Sequence, residues 1–440
     1  MGRSTISGIL TSVGRQFLDW TAAYRLFSQE RINIDYLFSA IRKQLINRDF
    51  VNSGSIYAHM DDTHVKKTGK KIPGTSWLRD PLGPPFHTNF IWGQRFIQLS
   101  ISLPTKDTAC QSRAIPVDFY HCPPVKKPKK NENKEAWDEY KKLQKKAKLS
   151  QVGSDRIKYL RNCLNNEGAK DKSLVISVDG SYTNETVLKN LPENVTLIGR
   201  IRKDCVLNSL PDTSLKGVGR NRVYGERLPT PEQIRQSNEY PWQEVQAWAA
   251  GKVHNFNVKV IQNIRWRKLG NKDIQSIVIR PLSYRLNNGS RLLYRQPAYL
   301  ICTDPKMEIS ELLQAYLWRW EIEVNFRDEK TLLGCGQAQV RNENSVKNIP
   351  AFVAAIYSMI LWADAKTKKD SIEEMPRSIW YPKKKEKRIT TGDIINNFRA
   401  SLWAKNININ FSHFANLHKA IRCRKNTLNP TLSAILYMRN

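Results

Sequence analysis

The sequence lacks cysteine pairs with the spacing of zinc ligands, and it lacks long apolar runs. Its seven cysteines are isolated and form no CxxC pair, which is typical of reduced thiols in an intracellular protein and gives no sign of a zinc site. No stretch of about 18 or more apolar residues occurs, and no short apolar segment follows a basic N-terminus. The sequence therefore predicts neither a membrane span nor a secretory signal.

Acidic residues are scarce beside basic ones. The 440 residues include 71 Lys and Arg against 40 Asp and Glu, a formal net charge of +31. The 12 Trp, 16 Tyr and 14 Phe lie along the whole length, which argues against a largely disordered chain. A folded protein with so large a basic excess favours a polyanionic partner, and without a membrane segment we expect that partner to be nucleic acid.

The first 50 residues are predicted to be helical. Ser4 or Thr5 is a candidate cap for a short first helix, and apolar residues at helical spacing indicate a longer second one. Two interpretations remain open, a small DNA-binding module and a helical cover on the next domain. The periodic residues of the longer helix are Tyr36, Leu37, Ile41 and Leu45.

Two predicted strands end in carboxylates. The run SIYAHMDD ends at Asp61 and Asp62, and the run SLVISVDG ends at Asp179. Leu174 to Val178 are almost wholly apolar, which suits a strand buried on both faces. Neighbouring side chains of a strand point to opposite faces, so only one of Asp61 and Asp62 can join a shared site. A structural turn before Gly180 remains an alternative role for Asp179.

Between these strands lie two further β-rich runs and a basic segment. FHTNFIW and QRFIQLSISL are separated by Gly93, a pattern that predicts a hairpin. Residues 123–150 begin with a Pro-Lys connector and continue as a lysine-rich helix toward Leu160. Such a helix is usually a solvated face, but its lysine excess is too large for pairing within the helix, so phosphate contact is an equal alternative.

A single helix is predicted from about 308 to 333. At about 100° per residue, four polar residues share an arc of roughly 60° beside an apolar stripe, where they can face a cleft. A surface helix with an Arg319–Glu323 salt bridge is the alternative. The polar residues are Tyr316, Arg319, Glu323 and Lys330, and the stripe consists of Trp318, Ile322, Phe326 and Leu333.

Carboxylates from two strand ends and one helix are a natural set of ligands for hard divalent cations. Mg²⁺ prefers oxygen ligands and retains several waters, so few protein carboxylates suffice. Two such ions activate an attacking hydroxyl and stabilise the leaving oxygen in a displacement at phosphate. The candidate catalytic and metal-binding residues are one of Asp61 and Asp62, together with Asp179 and Glu323.

The spacing Tyr316-(2)-Arg319-(3)-Glu323-(6)-Lys330 resembles the Y-(2)-R-(3)-E-(6)-K signature of bacterial insertion-sequence transposases, the insertion-sequence-four superfamily. The Asp-Asp-Thr box ending at Thr63 also resembles the seven-hundred-one-like branch, in the DDE superfamily endonuclease group. The resemblance covers about residues 55–365. The family pattern of an aspartate directly before threonine favours Asp62 over Asp61.

The resemblance implies a DDE transposase that cleaves transposon ends and transfers them into target DNA. It implies two Mg²⁺ ions per active site, with Mn²⁺ as a substitute, and a homodimer that assembles the terminal inverted repeats in the bacterial, nucleoid-associated cytoplasm. Tyr316, Arg319 and Lys330 would then contact DNA, with Trp320 and Arg327 as further candidates on the same helix. Trp320 can stack on an extruded base, whereas Trp318 is expected to pack in the core.

The resemblance also implies a fold of the α/β class, a ribonuclease-H-like mixed-sheet core interrupted by a β-rich insertion. On this basis 1–50 is an N-terminal helical segment, and 51–184 is the first part of the core with the basic linker and helix at 123–160. Residues 185–305 are the insertion, 306–370 the second part of the core, and 371–440 a basic helical region. Within the last region, residues 382–388 read PKKKEKR.

Two other functions are compatible with the same residues. One is a transposase-derived DNA-binding protein that does not cut, and the other is a structure-selective nuclease on the same core. The complete set of carboxylates disfavours the first, because a protein that only binds DNA has no need of them. The signature row disfavours the second, because it would serve specific ends rather than generic hydrolysis.

Overall fold

The protein has a mixed α/β fold built on one large sheet. The computed structural model describes residues 4–406 except 48–53, 81–82, 85, 88, 108–109, 213–220, 285–290, 292, 295 and 368–388. Within these residues, eleven strands form a single mixed sheet, and a further pair of short strands lies outside it.

The strands of the large sheet span most of the described chain. They are β1 (Ser55–Lys66), β2 (Ser76–Arg79), β3 (Phe90–Asp107), β4 (Cys110–His121), β5 (Ser173–Val178), β6 (Val195–Arg200), β7 (Asn208–Ser209), β8 (Gln243–Ala249), β9 (Lys252–Arg265), β10 (Asp273–Ile279) and β13 (Ala298–Cys302). The separate pair is β11 (Ser283–Tyr284) and β12 (Leu293–Tyr294).

The helices precede, separate and follow these strands. They are α1 (Ile6–Ser12), α2 (Thr21–Ser28), α3 (Ile34–Ile46), α4 (Lys134–Lys146), α5 (Leu149–Asn166), α6 (Glu185–Lys189), α7 (Pro231–Gln236), α8 (Ile309–Trp318), α9 (Trp320–Thr331), α10 (Glu343–Thr367) and α11 (Thr391–Asn406).

The order of the strands places β1 and β5 side by side at the centre. Across the first half of the sheet the order is β4, β3, β1, β5 and β6. β1, β5 and β6 are parallel to one another, whereas β3 is antiparallel to both β1 and β4. From β6 the sheet continues antiparallel through β13, β10 and β9. The predicted β-rich insertion at 185–305 is thus continuous with the core sheet.

β5 is buried on both faces, as its apolar sequence predicts. Leu174, Ile176 and Val178 belong to one apolar cluster, and Val175 belongs to a second cluster that contains residues of α8. Ser177 lies on the same face as Val175 and donates from Oγ to the backbone oxygen of Ala315 in α8 at 3.0 Å. Helix α8 therefore covers this face of the strand.

The hairpin predicted around Gly93 is wrong. β3 runs without interruption through Gly93, and its hairpin partner is β4. A Cβ at Gly93 would lie 2.6 Å from the backbone oxygen of Val65 in β1. Glycine is needed here because two strands approach closely, which is another common role of glycine within a strand.

β1 extends beyond the aspartates at which it was predicted to end. Its parallel pairing with β5 ends at Met60 opposite Val178, but its antiparallel pairing with β3 continues to Lys66. The two aspartates therefore lie where one neighbouring strand ends and the other continues. Local sequence gives no sign of this, because β3 supplies the additional hydrogen bonds.

Two predicted single helices are each divided in two. The basic segment forms α4 and α5, separated at residues 147–148; α4 has no buried residue, whereas α5 buries Ile157, Leu160 and Leu164. The predicted helix at 308–333 is divided at Arg319 into α8 and α9. Of the two helices, only α5 contributes buried residues to the apolar core of the protein.

The N-terminal segment is helical as predicted, and α3 covers the core. Thr5 caps α1 by accepting from the amide of Gly8 at 3.1 Å. In α3, Ile41 and Leu45 are buried, while Tyr36 is 74% exposed and does not pack in the core as its spacing suggested. Arg42 reaches from α3 to the backbone oxygen of Val117 in β4 at 3.1 Å.

Among the described residues, α10 is the one helix that is long and apolar enough, by length and composition, to cross a membrane. Half of its most apolar 18-residue stretch is buried inside the protein. It packs against β4, α3 and α2, as a core helix does. The basic run 382–388 and residues 407–440 lie outside the described residues.

Candidate active site

Asp61 and Asp62 face opposite sides of the sheet, and Asp61 is the one that meets the other predicted carboxylates. Asp61 and Asp179 directly follow the paired residues Met60 and Val178, so they continue adjacent parallel strands side by side. Asp61 accepts from Nη1 of Arg319 at 3.1 Å. The sequence-based choice was Asp62, but the structure places Asp61 rather than Asp62 beside Arg319 and Asp179. The pattern of an aspartate before threonine contains no information about which face each carboxylate occupies.

The fold holds Asp61 in an electrostatically unfavourable place. Burial, followed by the charge of the neighbouring Asp179 carboxylate, raises the pKa of this carboxyl to about 7, although Arg319 opposes the increase. A pair of nearby carboxylates in a partly buried position is stabilised by an added positive charge. Such a perturbed acid in a cluster of charged groups is typical of a functional site.

Asp179 also has the turn role that its sequence left open. Its Oδ1 accepts from the backbone amide of Ser181 at 2.9 Å and from the Ser181 hydroxyl at 2.6 Å. Its backbone oxygen accepts from Thr183 Oγ1 at 2.8 Å. These contacts orient the carboxylate at the end of β5, so the turn and a role in the cluster are compatible.

Arg319 joins the helix pair to the strands. The amide of Arg319 donates to the Tyr316 oxygen at 3.2 Å and the amide of Ile322 donates to the Arg319 oxygen at 3.1 Å, the tighter spacing of a 3₁₀ turn. The Arg319 guanidinium donates from Nη2 to Glu323 Oε1 at 3.2 Å, in addition to its bond to Asp61. The Arg319 side chain is only 14% exposed, so this is not the surface salt bridge of the alternative interpretation.

The other signature residues lie close to this cluster. The Arg319 guanidinium carbon is 5.7 Å from the centre of the Tyr316 ring. Lys330 donates from Nζ to Thr63 Oγ1 at 2.6 Å, two residues beyond Asp61 on β1. Burial lowers the pKa of the Lys330 ammonium. Both side chains therefore line the face of β1 that carries Asp61.

The remaining candidates on these helices divide into packed and exposed side chains. Trp318 packs edge-on against Tyr57 with ring centres 5.5 Å apart, in agreement with its predicted core role. Trp320 is 61% exposed. Arg327 is 65% exposed and pairs with the adjacent Asp328 at 2.9 Å. Trp320 and Arg327 are thus accessible to a ligand, whereas Trp318 has a structural role.

Asp62 belongs to a second cluster, which sequence reasoning missed. Its Oδ1 accepts from the Tyr182 hydroxyl at 2.9 Å, and its Oδ2 lies 3.4 Å from Nε of Arg95. A Cβ at Gly153 of α5 would lie 2.8 Å from the Tyr182 ring. Tyr182 therefore connects Asp62 on β1 to the loop that follows Asp179, and no local pattern in the sequence indicates this contact.

His64 has a partner on β3. Its Nε2 accepts from Nε of Arg95 at 2.9 Å, and burial, followed by the charge of Arg95, lowers the pKa of the imidazole. His64 therefore lies within the Asp62 cluster, on the face opposite Asp61.

A buried acid, Glu329, is linked to the neighbouring strand β3 next to Asp61. Gln98 on β3 pairs in register with Asp61. With its amide nitrogen turned toward Glu329, Gln98 donates to that carboxyl at 3.0 Å. Burial raises the pKa of Glu329 well above its ordinary value. Glu329 lies six residues after Glu323 on α9. At about 100° per residue it falls within the apolar stripe of Trp318, Ile322 and Phe326, which is the sequence signal for its burial.

The donor set of the cluster suits a divalent cation, although the carboxylates are partly engaged with arginine. Within the described ranges, no group of three or more His, Cys, Asp or Glu is arranged to hold a metal ion. Asp61 and Asp179 supply hard oxygen donors of the type that Mg²⁺ prefers, and their mutual repulsion raises the pKa of Asp61. Glu323 is bonded to Arg319. The residues fit a cation best at the Asp61–Asp179 pair.

The chain matches no protein-family model and no curated protein. The interpretation of the cluster therefore depends on its geometry and on the signature spacing.

Proposed function

We propose that this protein is a DNA transposase whose catalytic carboxylates are Asp61, Asp179 and Glu323. The observation that carries the proposal is the meeting of Asp61 and Asp179 at adjacent parallel strands, with Arg319 bonded to both Asp61 and Glu323. Segments separated by more than a hundred residues thus bring an acidic cluster together in a strongly basic protein.

The order of the strands supports a ribonuclease-H-like core. The three long strands β1, β3 and β4 form an antiparallel unit with β1 at its inner edge. β5 is parallel to β1 and lies beside it, and β6 is parallel to β5 on its other side. The resemblance implied such a core with the carboxylates at its centre and an insertion before the glutamate. The antiparallel strands β9, β10 and β13 lie between Asp179 and Glu323 in the sequence, which is consistent with such an insertion.

The side chains around the cluster support a DNA substrate. Arg319 Nε is buried without a hydrogen-bond partner among the described residues. An unsatisfied guanidinium N–H costs free energy, and a phosphate oxygen is a ligand that would satisfy it. Lys330 lies beside the cluster on Thr63, while the exposed Trp320 and Arg327 are suited to stacking on a base and to binding phosphate.

The metal would be held by Asp61 and Asp179, with Glu323 as the third carboxylate. Two bound Mg²⁺ ions, or Mn²⁺ in their place, supply activation of the attacking hydroxyl and stabilisation of the leaving oxygen. Arg319 binds both Asp61 and Glu323 in this structure, so a phosphate that accepts from Arg319 competes with Glu323. We propose that the substrate DNA is the transposon ends and the target, bound by a homodimer.

A second candidate function is a transposase-derived protein that binds DNA without cutting it. The contact between Arg319 and Glu323 favours it, because an arginine there neutralises the acidic cluster without metal. The two candidates differ in one respect: only the enzyme requires a free carboxylate at position 323.

Cleavage assays with paired variants test the proposal. The substrate is duplex DNA that carries the sequences flanking the gene, incubated with purified protein and Mg²⁺ or Mn²⁺. Asp61→Asn is compared with Asp62→Asn, and Glu323→Gln with Glu329→Gln on the same helix. We expect Asp61→Asn and Glu323→Gln to abolish cleavage while binding is retained, and each control to cleave.

Three outcomes would count against parts of the proposal. Cleavage by Asp61→Asn together with its loss in Asp62→Asn would reverse the choice between the two aspartates. Full activity of Glu323→Gln would remove the glutamate from the mechanism. Binding of the flanking DNA without any metal-dependent cleavage by the unmodified protein would favour the second candidate.

A further inference from the structure

We infer that residues 123–148, here called the lysine arm, form a surface that binds the phosphates of duplex DNA without reading its sequence. The arm consists of the Pro-Lys connector and α4. It contains ten lysines and four acidic residues. All ten lysines are exposed, so their charge is available to a partner.

The protein itself neutralises little of this charge. Among the described residues, Lys141–Asp138 is the only ion pair that the ten lysines form, at 3.2 Å, with both side chains largely exposed. An exposed pair of this kind contributes little free energy. No residue of α4 is buried. A helix that buries nothing and pairs few of its charges has little structural reason to carry so many lysines.

The lysines of α4 are not distributed evenly around the helix. At about 100° per residue, Lys134, Lys141 and Lys145 lie within roughly 40° of one another. Lys142 and Lys146 lie about 100° away, among two glutamates. The first three lysines thus form a stripe about 16 Å long, since each residue rises about 1.5 Å. Asp138, the partner of Lys141, also borders this stripe. Three lysines and one aspartate leave the stripe a net charge of +2, whereas the two lysines and two glutamates of the other face cancel. The glutamates of the mixed face are Glu135 and Glu139.

The connector contacts the helix through Lys127 and starts two strands away from Thr63. Lys127 Nζ lies 5.7 Å from the centre of the Trp137 ring, and Trp137 packs edge-on against Tyr140 at 6.0 Å. β4 ends at His121, which pairs with Phe96, and Phe96 pairs with Thr63. The arm therefore leaves the sheet two strands, about 10 Å, from Thr63, at the end of the sheet that carries Asp61.

The chemistry of the arm selects the type of contact. Lysine is a compact charge on a flexible stem, suited to phosphates rather than to base edges. The proposed reaction joins specific ends to a target of varied sequence, and a sequence-independent surface suits the target. This assignment to the target rests on the proposed function, whereas phosphate binding by the arm does not.

The test is the salt dependence of DNA binding in the presence of EDTA, so that no cleavage occurs. The probe is a 30-base-pair duplex of random sequence. The stripe variant Lys134→Gln/Lys145→Gln is compared with the mixed-face variant Lys142→Gln/Lys146→Gln, which loses the same charge. Each phosphate contact contributes about 0.9 to the slope of log K against log salt. We expect the slope to fall by about 1.8 in the stripe variant, and the affinity at 0.1 M salt to fall by up to about sixty-fold.

The mixed-face variant is expected to change both quantities much less, because its lysines lie beside glutamates. Equal losses in the two variants would mean that only net charge matters and would overturn the stripe. An unchanged slope in the stripe variant would overturn the assignment to duplex DNA. The same assignment would be overturned if the stripe variant bound the duplex normally and lost affinity only for a single-stranded RNA probe. If the stripe variant behaves as expected but the protein never cleaves DNA, the arm stands and the proposed function fails.

Discussion

Replacing Asp61 with asparagine removes a carboxyl that the fold holds in an unfavourable place. The pKa of this carboxyl is raised from 3.8 to about 7, chiefly by burial and then by Asp179. Below pH 3.8 it is protonated in both the folded and the unfolded chain and contributes no pH dependence. Between pH 3.8 and 7 the folded chain binds the proton more tightly, so stability falls as pH rises.

The size of this effect follows from the two pKa values. Each factor of ten in proton affinity corresponds to about 1.4 kcal/mol, so the full penalty above pH 7 is on the order of 4 kcal/mol. Asparagine has nearly the same shape and no charge. We therefore expect Asp61→Asn to increase the free energy of unfolding at pH 8 by up to about 4 kcal/mol, and by much less at pH 4.

Urea denaturation at pH 4, 6 and 8 measures this difference. Asp62→Asn is the matched control: it changes the adjacent carboxyl on the opposite face, and its amide oxygen can still accept from Tyr182. The difference between Asp61→Asn and the unmodified protein should grow as pH rises, and the control should not reproduce that growth. A constant difference from pH 4 to 8 would refute the account of Asp61.

Magnesium provides a second measurement on the same variants. A cation bound at Asp61 and Asp179 stabilises the folded protein by about 2.7 kcal/mol at a hundred times its dissociation constant. Protons and metal compete for Asp61, so the increase in melting temperature should be greater at pH 8 than at pH 6. Asp61→Asn should lose most of this increase and Asp62→Asn should keep it. Equal stabilisation of both variants would place the cation elsewhere.

Three further variants test packing and exposure. Gly153→Ala would place a Cβ 2.8 Å from the Tyr182 ring. We therefore expect the free energy of unfolding, measured by urea denaturation, to fall by about 1–3 kcal/mol. An unchanged midpoint would show that the Tyr182 ring can move to make room. Arg42→Met removes the partner of Glu167, whose side chain is 7% exposed and lies 2.8 Å from Arg42. We expect the free energy of unfolding to fall by about 3–5 kcal/mol, and most of this loss to be recovered in the double variant Arg42→Met/Glu167→Met. A double variant as unstable as Arg42→Met would contradict the argument from burial. Trp320→Ala, at a side chain 61% exposed, should change stability by less than about 0.5 kcal/mol but weaken DNA binding in a gel-shift assay; unchanged binding would remove Trp320 from the interface.

Several elements could be predicted because their causes are local. The apolar run before Asp179 is sufficient to indicate a strand buried on both faces, and β5 is such a strand. Thr5 caps α1 with its own side chain. The contact between Arg319 and Glu323 follows from their spacing of four residues on consecutive turns.

Other features depend on segments that are distant in sequence. β3 passes through Gly93 because β1 approaches it closely, a contact that no window around Gly93 contains. The interruption of the helix at Arg319 accompanies the bond from its guanidinium to Asp61, 258 residues earlier. A helical projection at constant angle cannot foresee such an interruption.

The sequence by itself determined the residue types of the site: two strand-associated aspartates, a glutamate four residues after an arginine, and a large basic excess. Only the tertiary structure decided which of Asp61 and Asp62 faces Arg319 and Asp179. Adjacent residues of a strand share almost the same neighbours in sequence, but their side chains point to opposite faces of the sheet. The packing of α8 and α9 over one face, and of Tyr182 under the other, assigns each carboxylate its neighbours.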